Sequence, residues 1–187
     1  DGSTHALITR PEFKTAKDLK GKTLGIQAYG ATDQVAAMMM LKHLGIDPEK
    51  EIKVVALGPA AGRLAALKEG VVEVAVISPP GDEEGRRMGF NVLARAYELF
   101  SFPFVGLGTN TRKIKERPDE VKRTIKALIK ANRFIRQNRE GTIQTLAEWG
   151  RTTPALAAAA YDSAFKVYNL DGSIPDEGLL AVIDQAV

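Results

Sequence analysis

The chain of 187 residues contains no cysteine and only two histidines, His5 and His43. Without a thiol there is no disulfide, no thiolate nucleophile and no Cys-based zinc or iron–sulfur site, and cytosol and periplasm both stay open. The histidines stand in different contexts with no ligand spacing between them, and neither GxxxxGK[ST] nor GxSxG occurs, so neither a metal centre nor a Ser-His-Asp triad has a basis in the sequence. Aromatic residues make up 6% of the chain, too sparse in its basic stretches for the base stacking that single-strand nucleic-acid binding uses. No run of about eighteen apolar residues exists, so nothing reads as a membrane span. The opening DGSTHALITR lacks the charged and then apolar layout of a signal peptide.

What is present is an ordinary globular composition. Hydrophobic residues are 44%, charged residues 26%, and the formal net charge is +3, which fits one domain or two small lobes and a mixed surface, not a nucleic-acid footprint. The first half alternates short β-branched runs with helical patterns. KTLGIQ at 22–27 reads as a strand and 32–44 as a helix stopped by Gly45. EIKVVAL at 51–57 and the helix at 60–69 repeat the unit, and VVEVAVI at 71–77, a short helix at 82–88 and FNVLAR at 90–95 continue it. This order implies a parallel sheet covered by helices, because every parallel crossover needs a connection of about a dozen residues.

The second half changes character. FPFVGLG at 102–108 reads as one more strand, and a long amphipathic helical stretch at 118–149 follows, with Val121, Ile125, Leu128, Ile135, Ile143 and Leu146 as its stripe and a break expected at Gly141. Pro154 and Pro175 then sit near the starts of two further helices. In the basic segment 112–139, Lys122, Arg123, Lys126, Lys130, Arg133 and Arg136 fall opposite the stripe, on a solvated face. The apolar faces of this half need another layer to cover them.

Two junctions are candidate ligand loops. Tyr29, Gly30, Ala31 and Thr32 join the first strand to its helix, with Gly30 supplying a tight turn and Thr32 expected as N-cap. A helix start at the carboxyl end of a parallel strand is where open α/β sheets bind polar ligands. Asp33 competes there for the same donors. Ser78-Pro79-Pro80-Gly81 follows another strand and should face the same rim. Each junction is equally a plain turn on sequence grounds, and the Gly106-Leu107-Gly108 start of a dinucleotide fingerprint lacks its third glycine.

The run FKTAKDLKGKTLGI at 13–26, the Gly30-Ala31-Thr32 junction, LGIDP at 44–48, AALKEGVVEVA at 65–75 and RPDEV at 117–121 together resemble the substrate-binding proteins of bacterial ABC transporters. The group they look most like binds sulfonates, nitrate, taurine and thiamine precursors. The resemblance implies a type II periplasmic-binding fold of two α/β lobes that clamp a solute by hinge closure and deliver it to an ABC permease, in the periplasm or otherwise outside the cytoplasm. It implies residues 1–98 as the second lobe with its entering crossover and 99–187 as the return crossover and helical remainder of the first. The N-terminal part of that first lobe is then not in this sequence; the apolar faces are expected to be covered by self-association with another copy, by rearranged helices or by an exchanged segment, and the half cleft is not expected to bind a solute by itself.

The resemblance implies ligand contacts at Gly30, Ala31 and Thr32 with Tyr29 beside them, and the strand-end position of the second loop adds Ser78 and Pro79; no metal, no cofactor, no nucleic-acid partner and no catalytic residue is expected. The Asp33 carboxylate leaves the solute open among amines, zwitterions and anionic or aromatic acids, and Ala31, standing where relatives often carry paired Ser or Thr, argues against a sulfonate. Two rival readings share the fold: an enzyme of pyrimidine-precursor synthesis, whose relatives use cysteine, and the effector-binding domain of a transcriptional regulator.

Overall fold

The computed structural model describes residues 2–103, 105–168 and 171–185. They divide into two compact units, Ser3–Ser101 and one that starts at Phe102. In the first, β1 (Ala6–Thr9), β2 (Thr23–Ile26), β3 (Lys53–Ala56), β4 (Val74–Ile77) and β5 (Asn91–Arg95) form a sheet in the order β3-β2-β4-β1-β5. β2 runs parallel to β3 and to β4. The helices α1 (Thr32–His43), α2 (Ala60–Lys68), α3 (Gly81–Arg87) and α4 (Ala96–Leu99) alternate with these strands or follow them, as the strand-helix alternation of the sequence requires.

The expected all-parallel sheet is corrected by β1. Residues 6–9 insert between β4 and β5 and run antiparallel to both, so the sheet is mixed. The sequence gives little sign of this strand, because ALIT is short and all four residues are buried, which removes the alternation that marks a half-buried strand. Both sheet faces are covered. Leu7, Leu24, Ile26, Val74 and Val76 face Ala37, Met40 and Leu41 of α1, while Ala6, Ile8, Ala75 and Ile77 lie with Leu64 and Leu67 of α2 and with Phe90. Alternate residues of one strand thus feed opposite layers.

The second unit carries α5 (Thr111–Glu116), α6 (Pro118–Gln137), α7 (Arg139–Gly150), α8 (Pro154–Phe165) and α9 (Asp176–Gln185). The strand expected at 102–108 is absent from the described residues there, of which Phe104 is not one. No other strand lies among the described residues of this unit to pair with it, and a lone extended run has no ladder. The helix break falls at Asn138 instead of Gly141. Asn138 ends α6 and caps α7, its side-chain carbonyl accepting the Gly141 N–H at 2.9 Å. A Cβ on residue 141 would come within 2.7 Å of that side chain, so the glycine makes room for the cap. On α6, Ile125 and Leu128 remain 49% and 43% exposed, and the basic arc is solvated as expected apart from Arg136, which lies over the Phe165 ring at 4.6 Å.

Gly62 in the first turn of α2 offers a test of this packing. A Cβ there would meet the Leu57 carbonyl oxygen at 2.8 Å, a backbone atom that cannot swing away. Gly→Ala inside a helix ordinarily stabilises by up to about 1 kcal/mol. Here Gly62→Ala is expected to reverse that sign and destabilise by roughly 1–3 kcal/mol, read from the urea midpoint. An unchanged or raised midpoint would contradict the close approach.

Candidate functional site

The carboxyl ends of β2 and β4 lie side by side, since Gly25 pairs with Ala75 in parallel register. The segments that follow, Tyr29 to Thr32 and Ser78 to Pro80, therefore leave from one rim of the sheet. The sequence expectation of a shared rim is met by this geometry.

The loop after β2 is stitched by the first turn of α1. Asp33 Oδ2 accepts the Gln27 N–H at 2.5 Å, and Gln34 Oε1 accepts the Gly30 N–H at 2.6 Å. Gly30 sits at φ +76°, a left-handed conformation that glycine adopts without strain. The N-cap is Ala31, not Thr32, and no side chain caps the helix. The expected cap bond of Thr32 is thus corrected: Thr32 is the first helical residue, and Asp33 and Gln34 reach back to the loop amides in its place. As in any helix, the amides of the first turn, here Thr32, Asp33 and Gln34, have no carbonyl within the helix to bind. Tyr29 is 66% exposed, and its hydroxyl donates to the Val54 carbonyl on the edge strand β3 at 3.1 Å. The phenol is held by the strand while the ring stays open to solvent.

In the loop after β4, the Gly81 N–H donates to the Ser78 carbonyl at 3.0 Å, and the Pro79–Pro80 bond is cis. Ser78 and Pro79 are half-buried. Asp82, next to it, is buried and pairs with Arg95 at the end of β5, Nη1 to Oδ2 at 2.5 Å.

Beneath the rim lies a charged cluster that sequence reasoning missed. Arg63 of α2 pairs with Asp33, Nη1 to Oδ2 at 3.0 Å, with both side chains 4% exposed. The same Nη1 donates to the Val76 carbonyl of β4 at 2.5 Å. Burial lowers the pKa of the Arg63 guanidinium, and the Asp33 charge opposes that shift. His5 precedes β1, with Ser3 Oγ 2.6 Å from its Nδ1. Burial pushes the His5 pKa down to about 4; Asp33 favours its protonated form and Arg63 disfavours it. A signal for Arg63 was present, since the arginine follows the helical period of its buried neighbours Leu64 and Leu67. An arginine on an apolar stripe asks for a buried acid.

Two consequences can be measured. Thr32 is exposed and carries no cap, so Thr32→Ala is expected to change stability by less than about 0.5 kcal/mol, whereas loss of a working N-cap costs about 1 kcal/mol; a drop of that size in the unfolding midpoint would restore Thr32 as a cap. His5 titrates near 6.5 when unfolded and near 4 when folded, so in that window the unfolded state binds the extra proton. Its contribution is complete above about pH 6.5 and falls by roughly 3 kcal/mol as pH drops through the window. Urea midpoints at pH 7 and 5 should show about 2 kcal/mol of this loss, and His5→Gln should flatten it. A wild-type midpoint as high at pH 5 as at pH 7 would contradict the buried neutral imidazole.

Among the described residues, no group of three or more His, Asp or Glu is placed to hold a metal ion, and no helix is long and apolar enough to cross a membrane. Solved structures share the fold. The alkanesulfonate-binding protein SsuA from Xanthomonas axonopodis pv. citri, bound to MOPS, aligns at TM-score 0.72 and 22% identity over 98% of this chain and 62% of its own. The periplasmic aliphatic sulphonate binding protein SsuA from Escherichia coli aligns at 0.79 and 19%, over 98% and 62%. The desulfurization enzyme DszB aligns at 0.60 and 13%, over 98% and 67%. The chain thus spans less than two thirds of the length of both SsuA proteins, and its α/β fold is the one expected from the ABC substrate-binding resemblance. No curated protein sequence matches. The NMT1-like family matches residues 5–150, and with that span the chain belongs to the NMT1-like family.

Proposed function

We propose that the chain is the solute-capturing part of an ABC importer, taking a small organic solute at the rim where β2 and β4 end. The observation that carries this reading is the shared rim itself: two loops leave neighbouring parallel strands at one edge, and one of them opens a twelve-residue helix. The first amides of α1, the hydroxyls of Thr32 and Ser78 and the open face of Tyr29 are its recognition groups, with Gly30 and Ala31 allowing close approach to backbone and Pro79 stiffening the second wall. Two or three bonds from such donors to a charged group contribute roughly 1.5–3 kcal/mol each. Capture is completed by closure of a second lobe over the solute, because binding energy selects the closed state, and the loaded protein then docks on a membrane permease outside the cytoplasm.

Because a desulfurization enzyme shares the fold, the fold alone does not choose between capture and chemistry. The site favours capture. The Ser3–His5 pair is the arrangement here most like a nucleophile and its base, yet Ser3 is 1% exposed and lies where no substrate reaches it. The chain also holds no cysteine.

Thermal shift and titration calorimetry on the protein with both lobes present, against MOPS, short alkanesulfonates, nitrate, aromatic acids and amines, test the reading. One solute is expected to bind at a single site without being turned over and, at a hundred times its dissociation constant, to stabilise by about 2.7 kcal/mol. Thr32→Ala and Ser78→Ala should each weaken it about tenfold while stability holds. Turnover of the solute, or affinity indifferent to both substitutions, would overturn the assignment.

A further inference from the structure

The β2–β4 ladder is short. Its paired residues are Leu24 with Val74 and Gly25 with Ala75, and the pairing stops there, although β2 continues to Ile26 and β4 to Ile77. Beyond that point a side-chain bridge takes over from the backbone. The Gln27 N–H donates to Asp33 Oδ2 at 2.5 Å, Arg63 Nη1 donates to the same oxygen at 3.0 Å, and that Nη1 also donates to the Val76 carbonyl at 2.5 Å. Three bonds through two side chains, each 4% exposed, thus join the start of the first loop to the strand that carries the second.

We propose that the buried Asp33–Arg63 pair is the positioning element of this rim, setting the spacing between the loop at Gln27 to Thr32 and the loop at Ser78 to Gly81 where the strands no longer pair. Its link to solute uptake rests on the capture reading above; its effect on the loops does not. The geometry separates this role from general stabilisation. A pair that only supported the core would have no reason to bind the Gln27 amide and the Val76 carbonyl, the backbone groups that a continued ladder would have engaged. Asp33 also lies in the first turn of α1, so the same bridge fixes where that helix begins against β4. Neither Asp33 nor Arg63 needs to touch a solute. Both act through the loops they hold.

The test is amide hydrogen exchange on the full chain, with titration of MOPS as the affinity probe. In Asp33→Ala, the amides at 27–34 and 77–82 are expected to exchange faster by at least tenfold beyond any acceleration they share with β1, while those of α6 to α8 keep their wild-type rates. Asp33→Asn, which retains an oxygen to accept the Gln27 N–H, should restore part of the protection at 27–34. Arg63→Lys should loosen 77–82 more than 27–34, because a single ammonium reaches the Val76 carbonyl less well than the guanidinium does. Should Asp33→Ala fail to fold, the two conservative variants carry the comparison. Acceleration spread evenly over the first unit, or none at the two loops, would overturn positioning. If the wild type binds MOPS, Asp33→Asn should weaken it at least tenfold, and unchanged affinity would overturn the link to uptake. A wild type with both lobes present that binds neither MOPS nor any other solute tried counts against the capture reading, and the exchange pattern then decides the role of the pair by itself.

Discussion

An arginine and an aspartate removed from water beneath a sheet rim are the constraint around which the first unit is arranged. The Arg63–Asp33 contact is made with both side chains 4% exposed, so the lost hydration must be recovered from bonds inside the protein. Recovery is partial: Asp33 Oδ2 and Arg63 Nη1 each make two bonds, whereas Asp33 Oδ1 and Arg63 Nε have none. A pair of this kind stabilises little relative to an apolar replacement, yet removing one partner strands the other charge at a cost of about 3–5 kcal/mol. It specifies an arrangement more than it adds stability. The neutral His5 belongs to the same economy, since the burial that strains the ion pair also excludes a third charge beside it.

Charge at the rim follows from a repeated device. Asp33 lies in the first turn of α1 and Asp82 in the first turn of α3, each buried, and each is answered by an arginine from a neighbouring element, Arg63 and Arg95. The acids sit well against the positive ends of their helices. They also use part of what those ends could offer an anion, and the paired arginines bring the local sum back to neutral. Under the capture proposed above, recognition at such a rim would depend on the direction of hydrogen bonds more than on net charge.

Much of this was legible in the sequence, for identifiable reasons. The helices α1 and α2 and the strands β2 to β5 announce themselves because β-branched runs alternate with alanine- and leucine-rich stretches closed by glycine, and the shared rim follows from parallel order alone. The cap at Thr32 was misplaced by one residue, because a threonine before an aspartate satisfies the local rule, while the bonds that fix the start come from Asp33 and Gln34 to loop amides. The sequence makes Asp33 a competitor for the donors of the 29–32 junction, whereas its carboxylate takes the Gln27 amide just before that junction. Its partner was not found, since nothing local links residue 33 to residue 63. The stretch at 102–108 has strand composition but no strand beside it among the described residues, and composition cannot supply a neighbour.

The strand that escaped sequence reading has a bearing on how the chain acquires its shape. β1 occupies an inner place in the sheet, with Ala6 opposite Ile77 on one side and Arg95 on the other. It is therefore made before the other four strands of this sheet and is among the last whose partners exist. Until residue 77 has emerged, the apolar segment ALIT has no β4 to dock against, and until residue 95 has emerged its other edge lies open. Pairings of such long sequence separation are slow to close, and unpaired edges in the meantime are what nascent chains most need shielded. The sheet is completed from its middle, by the one of its strands that is made first.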